Sequence, residues 1–432
     1  MYCGGCLRDN ALVAALRKLG HQATMVPLYL PLTLDEPDQT AGTPVFFGGL
    51  NVYLEQKSAL FRSAPGWLHD VLASRPLLGW AAGKAAKTRA ADLGELTLSM
   101  LRGEAGNQAR ELEELVSWLK GQPPPDVICL SNALLIGMVR RLKSELRVPV
   151  ACALQGEDSF LDALPEAHRA ACWRELAGRA QEVDLFIAPS RYFGSLMRER
   201  LELAAERVRV VPNGINLEGY AEEARGPKAE GRSPKPEGYG AGGPVLGFFA
   251  RMCPEKGLDI LVDAFIRLRH RGRVGNLRLR VGGSCGPADT RYVRSLREKL
   301  GAAGLLAAAE FHPNLDRASK VKFLRSLSVF SVPARYSEAF GLYVIEALAA
   351  GVPVVQPRTA AFPELIEATG GGVLCAPGDA QALAEATEQL LMEPARARAL
   401  GEAGRQAVFE RFSAEAMARA MVRAYASLTL KR

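Results

Sequence analysis

At 432 residues the chain exceeds what one ordinary hydrophobic core organises, so two domains are expected. Its 48% hydrophobic and 23% charged residues read as a soluble globular protein, and no apolar run reaches the ~18 residues needed to span a bilayer. A formal charge of +7 suits an anionic membrane or a phosphorylated substrate, whereas the lack of long basic runs with interleaved aromatics argues against nucleic acid as a partner.

The chain opens without a charged region followed by an apolar one, so the expected compartment is the cytoplasm. Peripheral contact with the inner face of a membrane is left open. Tyr2 to Asp9 reads as a glycine-rich turn, Asn10 to Leu19 as a helix ending at Gly20, and Gln22 to Pro27 as a strand. A turn-helix-strand unit needs an earlier parallel strand to cross over from. None precedes it here, which predicts a misplaced or truncated start, or the loss of a central strand. Cys3 and Cys6 have metal or redox spacing, but no second ligand pair follows and no metal role is expected. The other cysteines, such as Cys129, Cys152 and Cys375, sit in apolar stretches like small core residues.

Residues 32 to 122 read as a long insertion, turn-rich from Asp38 to Gly49 and then helical in spacing from Val52 to Leu119. Its apolar and aromatic stripes fit internal packing. Pro123 to Pro125 end that helix. Asp126 to Leu130, Val148 to Leu154 and Leu185 to Ala188 are short apolar runs between turns and helices, the pattern of buried parallel strands. The Gly, Pro and charge-rich stretch between Tyr220 and Pro244 marks a domain boundary. Beyond it Val245 to Ala250, Arg278 to Gly282, Ala309 to His312, Val329 to Pro333 and Val352 to Gln356 read as strands alternating with helices, which predicts a doubly wound parallel sheet. A last helical segment runs from Ser413 to Arg432. The expected domains are thus 1–222, a linker at 223–243, 244–410, and a C-terminal helix at 411–432.

The richest stretch is Ser337-Glu338-Ala339-Phe340-Gly341-Leu342-Tyr343-Val344-Ile345-Glu346, followed by Ala347-Leu348 and by Gly351-Val352-Pro353-Val354-Val355. It places two carboxylates eight residues apart around the start of a helix. Were the intervening residues all helical, the two would lie near one face, roughly 12 Å apart along the axis. Such a pair can address both ends of an extended ligand, with unpaired backbone N–H groups between them. Arg251 and Lys256 follow the Val245 to Ala250 strand, where fixed cations can neutralise a leaving phosphate without a metal. No Asp-x-Asp metal motif occurs in the sequence.

These residues resemble the donor-site signature of family 4 glycosyltransferases, retaining enzymes of the two-domain GT-B fold. The likeness takes in Val211-Pro212-Asn213-Gly214-Ile215-Asn216, Gly247 to Arg251 leading to Glu255-Lys256-Gly257-Leu258, Phe311-His312-Pro313 and Gly378-Asp379. It covers about residues 185 to 410, and is weaker before them.

The resemblance implies an α/β protein of two Rossmann-like doubly wound domains facing a central cleft, with the first N-terminal strand apparently absent. The acceptor would bind mainly the first domain and a nucleotide-diphosphate hexose the second, and the last helix would cross back onto the first. It also implies roles. Arg251 and Lys256 would hold the diphosphate, and Glu346 the ribose hydroxyls. Glu338 would lie nearer the transferred sugar. The backbone N–H groups of Phe340, Gly341 and Leu342 would reach sugar or phosphates. Gly5, in the Gly4-Gly5 pair, would face the site from across the cleft. Gly282 and His312 would seat the base. Gln155 stands where the family commonly has a histidine, so the sugar cannot be borrowed from other members.

Glu338 as nucleophile, or front-face departure of the diphosphate with Glu338 only orienting, both stay open, and the second is the reading taken. No cofactor is expected beyond the donor. The acceptor would be a glycan, a lipid-linked molecule or a small molecule. The rivals are a weak or inactive nucleotide-sugar-binding GT-B protein and a nucleotide-sugar epimerase.

Overall fold

A computed structural model describes residues 4–28, 36–40, 42–47, 90–221 and 243–429. Residues 48–89 of the expected insertion and nearly all of the expected linker (223–242) lie outside the described residues, as does Cys3. The chain divides into two compact units. One comprises Met1–Leu12 and Pro212–Met417, the other Val13–Val211 and Ala418–Arg432.

In the second of these units four parallel strands, β1 (Ile128–Leu130), β2 (Val150–Ala153), β3 (Leu185–Ala188) and β4 (Val208–Val210), lie side by side in chain order. Ala151 pairs with Leu185 and Phe186 with Val208. Every residue of β2 and β3 is buried, as their unbroken apolar runs require of strands covered on both faces. Helices Val139–Leu146, Glu166–Ala180 and Arg191–Arg200 fall between successive strands. The first ends in a left-handed Arg147, and the last is capped by Ser190 Oγ, which accepts from Phe193 N at 3.0 Å. β4 was not expected from the sequence.

Two expectations for the start of the chain are corrected. A helix runs from Gly4 to Lys18, so Tyr2 to Asp9 is not a turn beyond Gly4. Buried Ala11, Leu12 and Ala15 give this helix its inward face, and glycine is tolerable in a first turn whose N–H groups lack intrahelical partners anyway. Residues 21–28 form neither helix nor strand. Their carbonyls are taken by other groups instead of a ladder: Arg17 Nε donates to Ala23 O (2.8 Å), Thr43 Oγ1 to Met25 O (3.1 Å) and Phe47 N to Leu28 O (2.7 Å). Among the described residues no strand lies beside Gln22 to Pro27, so the segment has no ladder to join.

The other unit carries six parallel strands: β5 (Val245–Phe249), β6 (Arg278–Gly283), β7 (Ala309–Pro313), β8 (Val329–Phe330), β9 (Val354–Pro357) and β10 (Gly372–Cys375). Their order is β10-β9-β8-β5-β6-β7. The chain winds outward from β5 to β7, then returns to the other side of β5 and winds outward again. That is the doubly wound order of dinucleotide-binding sheets, with its reversal between β5 and β8, where Leu246 pairs with Val329. β10 was not expected from the sequence.

Register decides the faces. Leu246, Phe248, Leu279 and Val281 are fully buried and share one face. Phe249, Gly282 and His312 share the other with Arg280 and Glu310. Helix Leu258–Arg271 contributes Leu261, Val262, Phe265 and Leu268 to the same core cluster as the first group. A second link closes this unit on itself. Ile215 N donates to Phe412 O (2.9 Å) and Ala414 N to Ile215 O (2.8 Å). Gly214 permits that approach, because a Cβ there would meet Ser413 O at 2.2 Å. Helix Ala414–Thr429 starts here, and from Ala418 on it belongs to the other unit.

Candidate functional site

In an open parallel sheet the loops beyond the carboxyl ends of two strands separate at the reversal point, and ligands bind there. The loops after β5 and β8 flank that point, and both carry charged residues singled out in the sequence. After β5 the chain passes Arg251 and makes a tight turn at Pro254–Lys256. Gly257 then takes φ +70°, where a Cβ would lie 2.0 Å from Pro333 O. Arg335 N donates to Glu255 O at 2.9 Å, so the two loops are in direct contact.

This contact brings Lys256 onto Glu338. Lys256 Nζ lies 2.8 Å from Glu338 Oε2, with the two side chains 18% and 14% exposed. Tyr336 and Tyr343 donate their hydroxyls to the same oxygen at 2.9 and 2.8 Å. Lys256 also donates to the Tyr336 hydroxyl, and its ammonium sits 4.7 and 5.0 Å from the Tyr336 and Tyr343 ring centroids. Burial pushes the Glu338 carboxyl up, but Lys256 and the hydroxyls outweigh it and hold the group below its ordinary value. Glu338 precedes the helix rather than sharing its face: the helix begins at Leu342 and ends at Ala349. Gly341 caps it at φ +94°, with no side chain capping its first N–H groups, and Phe340 is buried against Phe412.

Glu346 lies on that helix. Its Oε1 accepts from Lys320 Nζ at 2.9 Å, and the side chains are 18% and 8% exposed. Lys320 comes from helix Arg317–Arg325, whose first turn is capped by Asp316. Three residues on, Phe323 packs against His312 (5.6 Å between centroids) and Phe249 (5.5 Å). Gly282 pairs with His312 across the β6–β7 ladder, and a Cβ on Gly282 would meet Phe249 at 2.6 Å. One helix therefore touches both the Glu346 and the Gly282–His312 parts of the site. His312 Nε2 is 3.2 Å from Glu310 Oε2. Burial raises the Glu310 carboxyl, but His312, Arg280 and Arg278 together bring it below its ordinary value.

Arg251 is 53% exposed and bonds the carboxylate of buried Asp289 through both oxygens, at 2.9 and 3.1 Å. It shares its loop with Lys256 but turns toward the residues before helix Thr290–Ala302. Gly5 lies in the first turn of helix Gly4–Lys18, and a Cβ on neighbouring Gly4 would come 3.7 Å from Leu342 Cδ1. Gln155 belongs to the other unit, just beyond β2. Its backbone N–H and that of Gly156 donate to Glu157 Oε2 (2.9 and 3.0 Å), while Ala133 N donates to Oε1 (2.8 Å). The Gln155 side-chain nitrogen is buried without a partner among the described residues.

Sequence reasoning missed Tyr336, Tyr343, Lys320 and Asp289. The tyrosines bracket Glu338 within the segment already singled out, so proximity was a usable signal. Lys320 and Asp289 come from distant parts of the chain and carried none. Among the described residues no group of three or more His, Cys, Asp or Glu could hold a metal ion, and no helix is long and apolar enough to cross a membrane.

Two family models match the chain: Glycosyltransferase Family 4 over residues 92–218 and Glycosyl transferases group 1 over residues 232–407. The chain is 30% identical to a phosphatidyl-myo-inositol mannosyltransferase of Mycobacterium leprae over 182 residues, covering 42% of this chain and 43% of that protein. It is 31% identical over 191 residues to the lipopolysaccharide core biosynthesis mannosyltransferase LpsB of Rhizobium meliloti, covering 42% and 51%. The chain spans about half the length of the curated relatives it matches. Among solved structures, Anabaena HepE in complex with UDP superposes with a TM-score of 0.63 at 18% identity, covering 94% of this chain and all of that one. A sucrose-phosphate synthase from Thermosynechococcus elongatus gives 0.60 at 23% identity, covering 75% and 79%. Taken with the two parallel sheets, these matches establish that the chain belongs to the family 4 glycosyltransferases (glycosyl transferases group 1), with the GT-B fold.

Proposed function

We propose that this protein transfers a hexose, with retention and without a metal ion, from a nucleotide-diphosphate sugar to a glycan, lipid-linked or small-molecule acceptor. The observation that carries the reading is the Lys256–Glu338 pair held by two tyrosines beside an uncapped helix start, at the reversal point of the sheet. Lys256, Arg251 and the N–H groups at the start of helix Leu342–Ala349 would take up the charge that builds on the departing diphosphate. Glu346 would accept from the ribose hydroxyls. Three donors on one oxygen stabilise the Glu338 anion and so blunt it as a nucleophile. This favours an orienting role, through hydrogen bonds to the sugar.

In the front-face route the bond from the anomeric carbon to the phosphate oxygen breaks, and its electron pair stays on that oxygen. The acceptor oxygen bonds the anomeric carbon on the same face, and its proton passes to the departing phosphate. No cofactor takes part. The relatives named as acting on phosphatidyl-myo-inositol and on lipopolysaccharide core make lipid-linked acceptors the first to try, and a peripheral membrane contact would accompany them.

The test is a thermal-shift panel of nucleoside diphosphates and their sugar conjugates in the presence of EDTA, followed by product analysis with candidate acceptors. A ligand at a hundred times its dissociation constant stabilises by about 2.7 kcal/mol. One conjugate is expected to shift the wild type and to lose that shift in Arg251→Ala and Glu346→Gln, and turnover is expected to survive EDTA with the anomeric configuration kept. Binding without transfer would turn the assignment to a binding protein, and sugar interconversion without acceptor to an epimerase. Loss of turnover with EDTA, or inversion, would overturn the mechanism.

A further inference from the structure

Glu338 receives three hydrogen bonds, from Lys256, Tyr336 and Tyr343, and all three fall on Oε2. A lysine alone suffices to pair a carboxylate. Two tyrosines converging on the oxygen that the lysine already holds call for a further role. Tyr343 is well fixed for it, buried and packed against Phe330 and Phe362, each with centroids 6.4 Å away, and Tyr336 lies partly buried against the same core.

We infer that Tyr336 and Tyr343 form a two-hydroxyl cradle that keeps Glu338 Oε2 in place when Lys256 leaves it for the diphosphate of the donor. This rests on the donor-site reading above. Lys256 then has two positions, one closed on Glu338 in the free protein and one turned to phosphate. In the first, the carboxylate has three donors. In the second it keeps two. Without the hydroxyls, the departure of Lys256 would strand a carboxylate that is only 14% exposed, and a stranded, largely buried charge is strongly unfavourable. The tyrosine ring faces also give the ammonium a surface to lie against in its closed position. Both tyrosines are positioning residues, acting through Glu338 and Lys256. The Tyr343 hydroxyl stays a donor throughout, because burial and the adjacent Glu338 push its pKa well above 10.

Tyr336→Phe/Tyr343→Phe keeps both rings and removes only the hydroxyls. Binding of UDP and of GDP is measured by titration calorimetry, in the wild-type background and in Glu338→Gln, where the departure of Lys256 strands no charge. In the wild-type background the double change is expected to weaken binding about tenfold, the scale of one lost hydrogen bond to a charged group. In Glu338→Gln the same change is expected to shift binding by less than about twofold, since a neutral amide has no charge to leave unpaired. A merely structural role would weaken binding equally in both backgrounds, and that result overturns the cradle. So does unchanged binding in the wild-type background. Should the double variant not fold, Tyr336→Phe alone carries the same comparison with an expected loss of about threefold. Failure of the cooperatively folded wild type to bind either nucleotide would instead bring down the donor-site reading, and the cradle with it.

Discussion

Lys320→Met tests whether the Glu346 end of the site depends on a partner supplied from another helix. The change keeps most of the length of the side chain and removes its charge, leaving Glu346 without the ammonium 2.9 Å from Oε1. Breaking a fully buried pair from one side destabilises by about 3–5 kcal/mol, whereas an exposed pair contributes about 0–1 kcal/mol. The Glu346 side chain keeps 18% of its surface in water and Lys320 only 8%. The expected loss therefore lies between these limits, at about 2–3 kcal/mol. Lys320→Met/Glu346→Gln removes the stranded charge and should recover part of that, giving a coupling energy of about 1–2 kcal/mol in the double-mutant cycle. Urea unfolding followed by circular dichroism measures it. Of the four tryptophans of the chain, Trp118 and Trp173 lie in the other unit, so their fluorescence serves as a control. A coupling energy within about 0.5 kcal/mol of zero would show the pair to be as weak as one on the surface, and the argument from burial would fail.

Three further outcomes follow from the same geometry. Gly257→Ala puts a Cβ 2.0 Å from Pro333 O at a backbone φ of +70°, and should destabilise its unit by about 2 kcal/mol or more while abolishing UDP binding; unchanged calorimetric binding would refute the role of this turn in placing Lys256. Glu157→Gln replaces two acceptor oxygens, which together serve the N–H groups of Ala133, Gln155 and Gly156, with one oxygen and one donor. It should lower the tryptophan-detected urea stability by about 1–3 kcal/mol, and a neutral result would sink the account. Glu338 is held below its ordinary pKa of 4.5, burial opposing and Lys256 prevailing. The stability it contributes is therefore present above about pH 4.5 and lost as pH falls through the lower folded value. The stability difference between wild type and Glu338→Gln, read from urea midpoints by circular dichroism, should shrink below that pH. A constant difference would contradict the shift.

Local patterns carried the second sheet well and the first less well. The runs around Val245, Arg278, Ala309, Val329 and Val352 became β5 to β9, because each is a short stretch set off by turns and helices; β5, β8 and β9 are almost wholly buried, whereas β7 at the sheet edge is only partly covered. β10 was missed because Gly371-Gly372 reads as a turn, although a Cβ on Gly371 would collide with Leu348 and one on Gly372 with Val354. β4 is a three-residue edge strand, exposed at Arg209 and Val210, and its alternation is too short to register. The strand expected at Gln22 to Pro27 failed for a different reason. Pairing is a property of two segments, and an apolar run cannot report whether its neighbour exists.

The site was legible wherever its parts lie along one run, and illegible where elements converge. Arg251, Lys256, Glu338 and Glu346 were singled out from the sequence, but without a counter-charge for any of them. Each in fact has a counter-charge: Asp289 for Arg251, Lys256 and Glu338 for one another, Lys320 for Glu346. These three pairs sum to zero, so on the proposed donor-site reading an incoming diphosphate would not meet an open field of positive charge. It must win cations already engaged with carboxylates, and a bare anion that does so leaves those carboxylates with fewer donors. On the same reading a nucleotide-diphosphate sugar would offer hydroxyls at the same moment: the ribose to Glu346, whose Oε2 takes no part in the Lys320 pair, and the hexose to Glu338, whose Oε1 takes none of the three bonds on Oε2. The site should therefore select the whole donor over its phosphates. Pyrophosphate is expected to bind at least about tenfold more weakly than UDP or GDP, whichever binds, since each hydrogen bond to a charged group contributes about 1.5–3 kcal/mol. Competition calorimetry decides it: pyrophosphate that matched the nucleotide would show cations held loosely enough to act alone, and the intramolecular pairs would lose their part in recognition.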